Sequence, residues 1–163
     1  MAPPDVTVRP VAPSDRDAWV EMRAQLWPDH SPEELAREVD SYLSGGALWK
    51  YGSLSIPFHA LVAEDPAHRL VGFLEVSLRP FADKCRTGPV GYLEGWFVVP
   101  ARRRQGVGRA LVTAGEAWAS ARGCVEMASD ARVGNTVSAD SHGALGYQEV
   151  ERLIHFRRGL PRR

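Results

Sequence analysis

Residues 93–109, Leu-Glu-Gly-Trp-Phe-Val-Val-Pro-Ala-Arg-Arg-Arg-Gln-Gly-Val-Gly-Arg, constrain this chain more than any other stretch. An apolar strand pattern runs into a basic turn, and Gly106 and Gly108 stand where a helix begins. Glycine lets a backbone come close to an anion, and the first N–H groups of a helix have no intrahelical acceptor. The positive end of the helix dipole lies beside them, so the stretch reads as a phosphate cradle. A tight basic turn that merely caps a surface helix would use similar residues, and the rest of the chain has to decide between the two.

With 163 residues, 44% of them hydrophobic, the chain has the size of one globular domain with a full core, and a single domain over residues 1–163 is expected. Twenty Lys and Arg balance twenty Asp and Glu. No overall field therefore draws the protein to nucleic acid or a membrane, and charge selectivity must be local. Met1 to Pro13 has no apolar signal-like core, and no apolar run approaches spanning length, so a soluble, cytoplasmic protein is expected. Cys85 and Cys124 have neither metal-ligand spacing nor a redox-pair motif; free thiols and no metal site are expected.

Residues 5–11 alternate like an edge strand, which Pro10 suits. Ser14 is read as the cap of a first helix whose apolar positions are Ala18, Met22 and Leu26, with Trp19 beside them and an end before Pro28. Ser31, Pro32 and Glu34 signal a second helix with the stripe Leu35, Val39, Tyr42 and Leu43, stopped at Gly45-Gly46. Residues 58–64 and 70–79 read as strands joined by Asp65-Pro66-Ala67-His68. Glu75, inside the second, either faces solvent or lines a cleft.

After the cradle, Val107, Leu111, Ala114, Trp118 and Ala121 mark a helical face that ends at Gly123. A strand over 124–129 ends in Asp130, residues 135–145 form a further helix, and 147–158 are expected to give two short strands or one bent one. This order places the chain in the α/β (α+β) class, with one mixed sheet flanked by helices.

The loop Arg103-x-x-Gly106-x-Gly108 on a strand, turn and helix resembles the pyrophosphate loop of the GNAT superfamily, whose members transfer an acyl group from coenzyme A to an amine. The element order is the GNAT order too, which implies the GNAT fold with a mixed, mostly antiparallel central sheet. Further matches narrow the likeness: Leu26-Trp27-Pro28-Asp29-His30, Tyr92-Leu93-Glu94-Gly95, Ala128-Ser129-Asp130, His142-x-Ala144-Leu145-Gly146-Tyr147 and Glu149-x-Glu151-Arg152. Across residues 14–158 the chain resembles the aminoglycoside 6'-N-acetyltransferases.

That resemblance implies acetyl-CoA as cosubstrate. Its pyrophosphate would lie on the backbone of Arg104, Gln105, Gly106, Val107, Gly108 and Arg109, and its pantetheine arm would pair with Trp96, Phe97 and Val98. Gly95 is read as a bulge beside a splayed strand, or as mere close packing. Asn135 matches the family's Asn that contacts the pantetheine arm; without the family it reads as an N-cap. At position 142 many GNAT enzymes carry a Tyr that protonates the departing thiolate, and here stands His142, which serves as acid, hydrogen-bonds the CoA sulfur, or sits on a helix surface.

An aminoglycoside is a polycation whose attacking amine must first lose its charge. Carboxylates are needed for both tasks. Glu94, Asp130 and Glu151 match acidic positions of the resembled enzymes, Glu75 adds a further one, and Trp27 and His30 would wall the acceptor cleft. Asp130 is expected to be the base or the amine-orienting group, with a plain turn-forming Asp as the alternative. Phe81 stands in a loop where relatives tend to place a Tyr, and residues 46–57 look longer than the family pattern. Related enzymes are often homodimers through their C-terminal strands, so a homodimer is expected, and Leu153-Ile154-His155-Phe156 either serves that contact or simply completes the sheet. Two other readings remain: a GNAT enzyme acting on a polyamine or peptide N-terminus, and a non-catalytic acyl-CoA-binding module.

Overall fold

Short-range capping sets the first helical layer. In the computed structural model, which describes residues 4–46, 50–51 and 54–161, α1 spans Arg16–Leu26 and α2 spans Pro32–Leu43. Ser31 caps α2 as expected, its hydroxyl accepting from the Glu34 N–H at 3.1 Å. Ser14 does not cap α1. It lies within a 3-10 turn, Pro13–Asp15, and the carboxylate that organises the entry is Asp15, which accepts from the Ala12 N–H and from Arg9.

The buried side of α1 is Trp19, Met22 and Arg23, while Ala18 is exposed. The helix is thus rotated from the expected stripe because a charged residue, Arg23, belongs to its inner face.

The described residues form seven strands: β1 Thr7–Pro10, β2 Lys50–Tyr51, β3 Leu54–Ser55, β4 Phe58–Glu64, β5 Leu70–Arg79, β6 Val90–Val98 and β7 Met127–Ser129. β2 and β3 make a small antiparallel hairpin inside the long 46–57 segment; Trp49 of that segment lies outside the described residues. The main sheet has the order β1-β4-β5-β6-β7, antiparallel except for the parallel β6–β7 pair. β1 with its Pro10 is an edge strand, as the sequence pattern implied.

Alternation along β5 serves both faces of the sheet. Phe73 packs with Trp19, Met22, Val39 and Phe97 on the α1–α2 side. Leu74 meets the other layer, helix α3 (Val107–Ser120), at Gly115, where a Cβ would lie 2.4 Å from the Leu74 Cδ2. The close approach rotates the buried face of α3 to Val107, Leu111, Val112, Gly115 and Ala119, leaving Ala121 exposed.

By contacts the chain divides into two compact units, Met1–Asp130 and Ala131–Arg163. The second contains α4, Thr136–Ala144, capped by the Asn135 side chain, which accepts from the Ser138 N–H at 3.1 Å. Residues 147–158 form no strand, contrary to expectation. Their apolar side chains Val150, Ile154 and Phe156 are exposed. Among the described residues, no helix is long and apolar enough to cross a membrane.

Candidate active site

The cradle takes the expected strand–turn–helix form. A 3-10 turn over Pro100–Arg102 follows β6, Arg104 and Gly106 adopt φ of 60° and 85°, and Gly106 is the residue immediately before α3. A positive φ favours glycine, so Gly106 has a conformational reason to be there. Gly108 has a steric one: a Cβ would sit 2.7 Å from the Trp96 indole, so this glycine serves helix-to-strand packing rather than anion approach. The N–H groups of Val107 and Gly108 open α3 and point along its axis toward the turn. Arg104, Gln105 and Arg109 are exposed around it, whereas Arg103 turns back, its Nε donating to the Val98 carbonyl at 2.8 Å.

The strand leading into the cradle is irregular where the sequence reading placed a bulge. Glu75 faces Gly95 and Val76 faces Leu93, so Glu94 is an extra residue on β6. Gly95 is also closely packed, since a Cβ there would lie 2.6 Å from the Trp27 ring. The two interpretations of Gly95 therefore coexist. On the other edge of β6, the parallel partner β7 reaches only to Leu93, and beyond it no described strand pairs with that edge. Trp96, Phe97 and Val98 lie on this one-sided stretch, which fits an extended amide-bearing arm.

A polar group occupies the end of the sheet near Asp130. The Tyr92 hydroxyl donates to Asp130 Oδ1 at 2.6 Å. Burial, reinforced by the Asp130 hydrogen bond, pushes the Tyr92 phenol far up, so it stays a donor. Beside it, Arg79 grips Glu94 with two prongs, Nε to Oε1 at 3.0 Å and Nη2 to Oε2 at 2.6 Å, and the Ser77 hydroxyl donates to the same Oε1. The Arg79 guanidinium also lies 3.4 Å from the Tyr92 ring centroid. Asp130 is exposed, while the Glu94 side chain is only 8% exposed.

One expected acceptor residue is corrected by the structure. Glu75 is 0% exposed and takes no part in a surface cleft. Its Oε1 accepts from Arg23 Nε at 2.8 Å and Trp19 Nε1 at 3.1 Å, and its Oε2 is buried with no hydrogen-bond partner among the described residues. Burial pushes its carboxyl up to about 7, against the opposing pull of Arg23. Arg23 also reaches Glu38 and the Leu35 carbonyl, and its guanidinium lies 4.9 Å from the Trp27 ring centroid.

Trp27 is half-buried against Gly95 with the exposed His30 ring 6.5 Å away, centroid to centroid. The structure thus brings Trp27, Glu94 and Asp130 onto the α1–α2 side of the β5–β6–β7 region, with Glu75 buried beneath. In the second unit, His142 stands on α4 with its Nδ1 2.8 Å from the Ser138 carbonyl and its ring against Tyr147, and Glu151 is exposed. Among the described residues no group of three His, Cys, Asp or Glu is placed to hold a metal ion.

Three participants escaped the sequence reading: Arg23, Arg79 and Tyr92. Spacing offered a signal for two of them. Trp19, Arg23 and Trp27 are four apart on one helical face, and Tyr92 and Glu94 are two apart on one strand.

Comparison with known proteins adds the following. The sequence profile of the Acetyltransferase (GNAT) family matches residues 17–147. The chain is 44% identical over 153 residues to an aminoglycoside N(6')-acetyltransferase type 1 of Klebsiella aerogenes, covering 94% of this chain and 96% of that protein. A protein of the same name from Stenotrophomonas maltophilia is 39% identical, with 94% of each chain covered. Among solved structures, AAC(6')-Iy in complex with the bisubstrate analogue CoA-S-monomethyl-acetylneamine superposes with a TM-score of 0.82 at 31% identity, over 95% of this chain and 99% of that one.

Proposed function

Because the chain belongs to the GNAT acetyltransferase family, we propose that it transfers the acetyl group of acetyl-CoA to the 6'-amine of aminoglycoside antibiotics in a direct ternary complex, and so confers resistance to them. The observation that carries this reading is an exposed carboxylate, Asp130, held by Tyr92 at the end of the sheet whose strand β6 leads into an anion cradle. Both substrates would then be organised by one strand. The relatives named for this activity match along nearly the whole chain.

Acetyl-CoA supplies an activated thioester. The α3 N-terminus holds its phosphates and the open edge of β6 aligns its arm, as the positions of Gly106 and Trp96 to Val98 favour. Asp130 orients the acceptor amine and takes its proton, directly or through water. A backbone N–H beside the β6 bulge stabilises charge on the thioester oxygen as the amine attacks.

On resemblance, Asn135 contacts the arm, Glu151 binds the acceptor and His142 returns a proton to the departing thiolate. A covalent acetyl-enzyme is not required: Cys124 is buried, and burial pushes its thiol up, away from a reactive thiolate.

The family match runs from residue 17 to 147, across the junction of the two compact units, which supports one acetyltransferase domain over the whole chain. The protein works in the cytoplasm, where its cosubstrate is made, and as a homodimer. The exposed Ile154, Phe156 and Leu160 are apolar surface for a second copy to cover. Sedimentation would give a dimer mass.

Thiol release measured with kanamycin and with spermidine tests the substrate reading. Turnover with kanamycin and little with spermidine is expected. Release with spermidine alone would move the activity to polyamines, and CoA binding with no amine-dependent release would leave only an acyl-CoA-binding module.

A further inference from the structure

Arg79 fills a position that has the chemistry of an ammonium site. Its guanidinium is bounded by the Glu94 carboxylate at 2.6 Å and by the face of Tyr92, whose hydroxyl continues to Asp130. A carboxylate, an aromatic face and a second carboxylate beside it are what a primary ammonium is recognised by.

The arginine is the last residue of β5, and its side chain is 26% exposed. It stands at the end of the strand with its guanidinium over the face of the buried Tyr92. It also leads into the loop that begins Pro80-Phe81, where Phe81 is 75% exposed. Glu94, by contrast, is anchored from beneath by Ser77, which is fully buried. The anion is held from beneath as well as by Arg79, and the arginine is the more solvated of the two partners.

We infer that Arg79 is a specificity-determining residue that occupies the acceptor's cation position in the free protein and is displaced from Glu94 when a polycationic acceptor enters. This rests on the aminoglycoside reading above. The pairing lowers the affinity of every acceptor by the fraction of molecules in which Glu94 is released. A polycation with several ammonium groups overcomes that competition more readily than a monoamine, so the latch discriminates by acceptor charge.

The variant Arg79→Gln tests it, with kanamycin binding to the protein–CoA complex followed by calorimetry. Kanamycin should bind at least threefold more tightly than to the wild type, and acetyl-CoA affinity should stay within twofold. Arg79→Lys, which keeps the charge without the two-pronged grip, should fall between. The gain must vanish in Arg79→Gln/Glu94→Gln, because only a released Glu94 carries it.

Unchanged or weaker kanamycin binding in Arg79→Gln would make Arg79 a fixed clamp and overturn the inference. So would a gain that survives in the double variant, which has the wild-type net charge and no Glu94 carboxylate to release. In the wild type, the guanidinium NMR signal of Arg79 should change its exchange protection on kanamycin addition, and an unaltered signal in the saturated complex also counts against displacement. Absence of kanamycin turnover by the wild type would instead remove the aminoglycoside reading itself, which separates the two failures.

Discussion

Two arginine–carboxylate pairs lie on the same side of the central sheet, and they differ in access to water. Arg23 and Glu75 are 1% and 0% exposed at their side chains, whereas Arg79 and Glu94 are 26% and 8% exposed. The inner pair is enclosed by Trp19 and Trp27, with Glu38 and the Leu35 carbonyl on the remaining prongs of Arg23. It ties α1, α2 and β5 together and supports the wall over Gly95. The outer pair stands next to Asp130, where a solvated cation has a path to compete. Similar chemistry thus yields a sealed fastening in one place and a partly solvated contact in the other. Dielectric and access, more than residue identity, make the difference.

The contrast is broken most severely by Arg23→Ala. Removing one member of a buried pair leaves an uncompensated group, so urea unfolding should show a loss of about 3–5 kcal/mol. A loss below about 1 kcal/mol would mean that the inner pair is not a fastening. The next largest effect is expected outside both pairs. Asp130→Asn should lower kanamycin turnover at least tenfold while acetyl-CoA binding stays nearly intact, and equal turnover would remove Asp130 from the chemistry.

Glu75→Gln sharpens the comparison through pH. The folded-state carboxyl is raised to about 7 by burial, above its unfolded value of 4.5, so the folded state holds the extra proton between those limits. Wild-type stability therefore declines relative to Glu75→Gln as pH rises through that window, on the order of 1 kcal/mol between pH 6 and 7. A pH-independent difference in unfolding free energy would place Glu75 as ionised throughout. Arg79→Gln should be the mildest for folding, changing unfolding free energy by less than about 1 kcal/mol, because a partly solvated pair contributes little. A large loss there would erase the distinction.

The parts of the fold written in local sequence were legible. Capping at Ser31, the Asp65 turn and the Gly106 cradle all depend on neighbours within a few residues, and each takes its expected form. What long-range packing decides was not. Gly115 turns α3 through its contact with Leu74, and a scan for apolar residues passes over a glycine.

Arg23 was hidden for the converse reason, a charged residue on the inner face of a helix. Glu75 was read as an acceptor contact because a carboxylate on a strand has no visible partner until α1 is laid over it. Residues 147–158 carry strand-forming side chains and still form no strand, so residue type alone does not decide their structure. At the candidate site, Trp27, Glu94 and Asp130 were readable as residue types at matched positions. The Tyr92 and Arg79 contacts that set their state were not.

A structure of the complex with CoA and kanamycin tests the central claim most directly. It should place the 6'-amine within hydrogen-bonding reach of the Asp130 carboxylate, with Glu75 still sealed against Arg23. An amine bound elsewhere, with Asp130 facing only solvent, would contradict it.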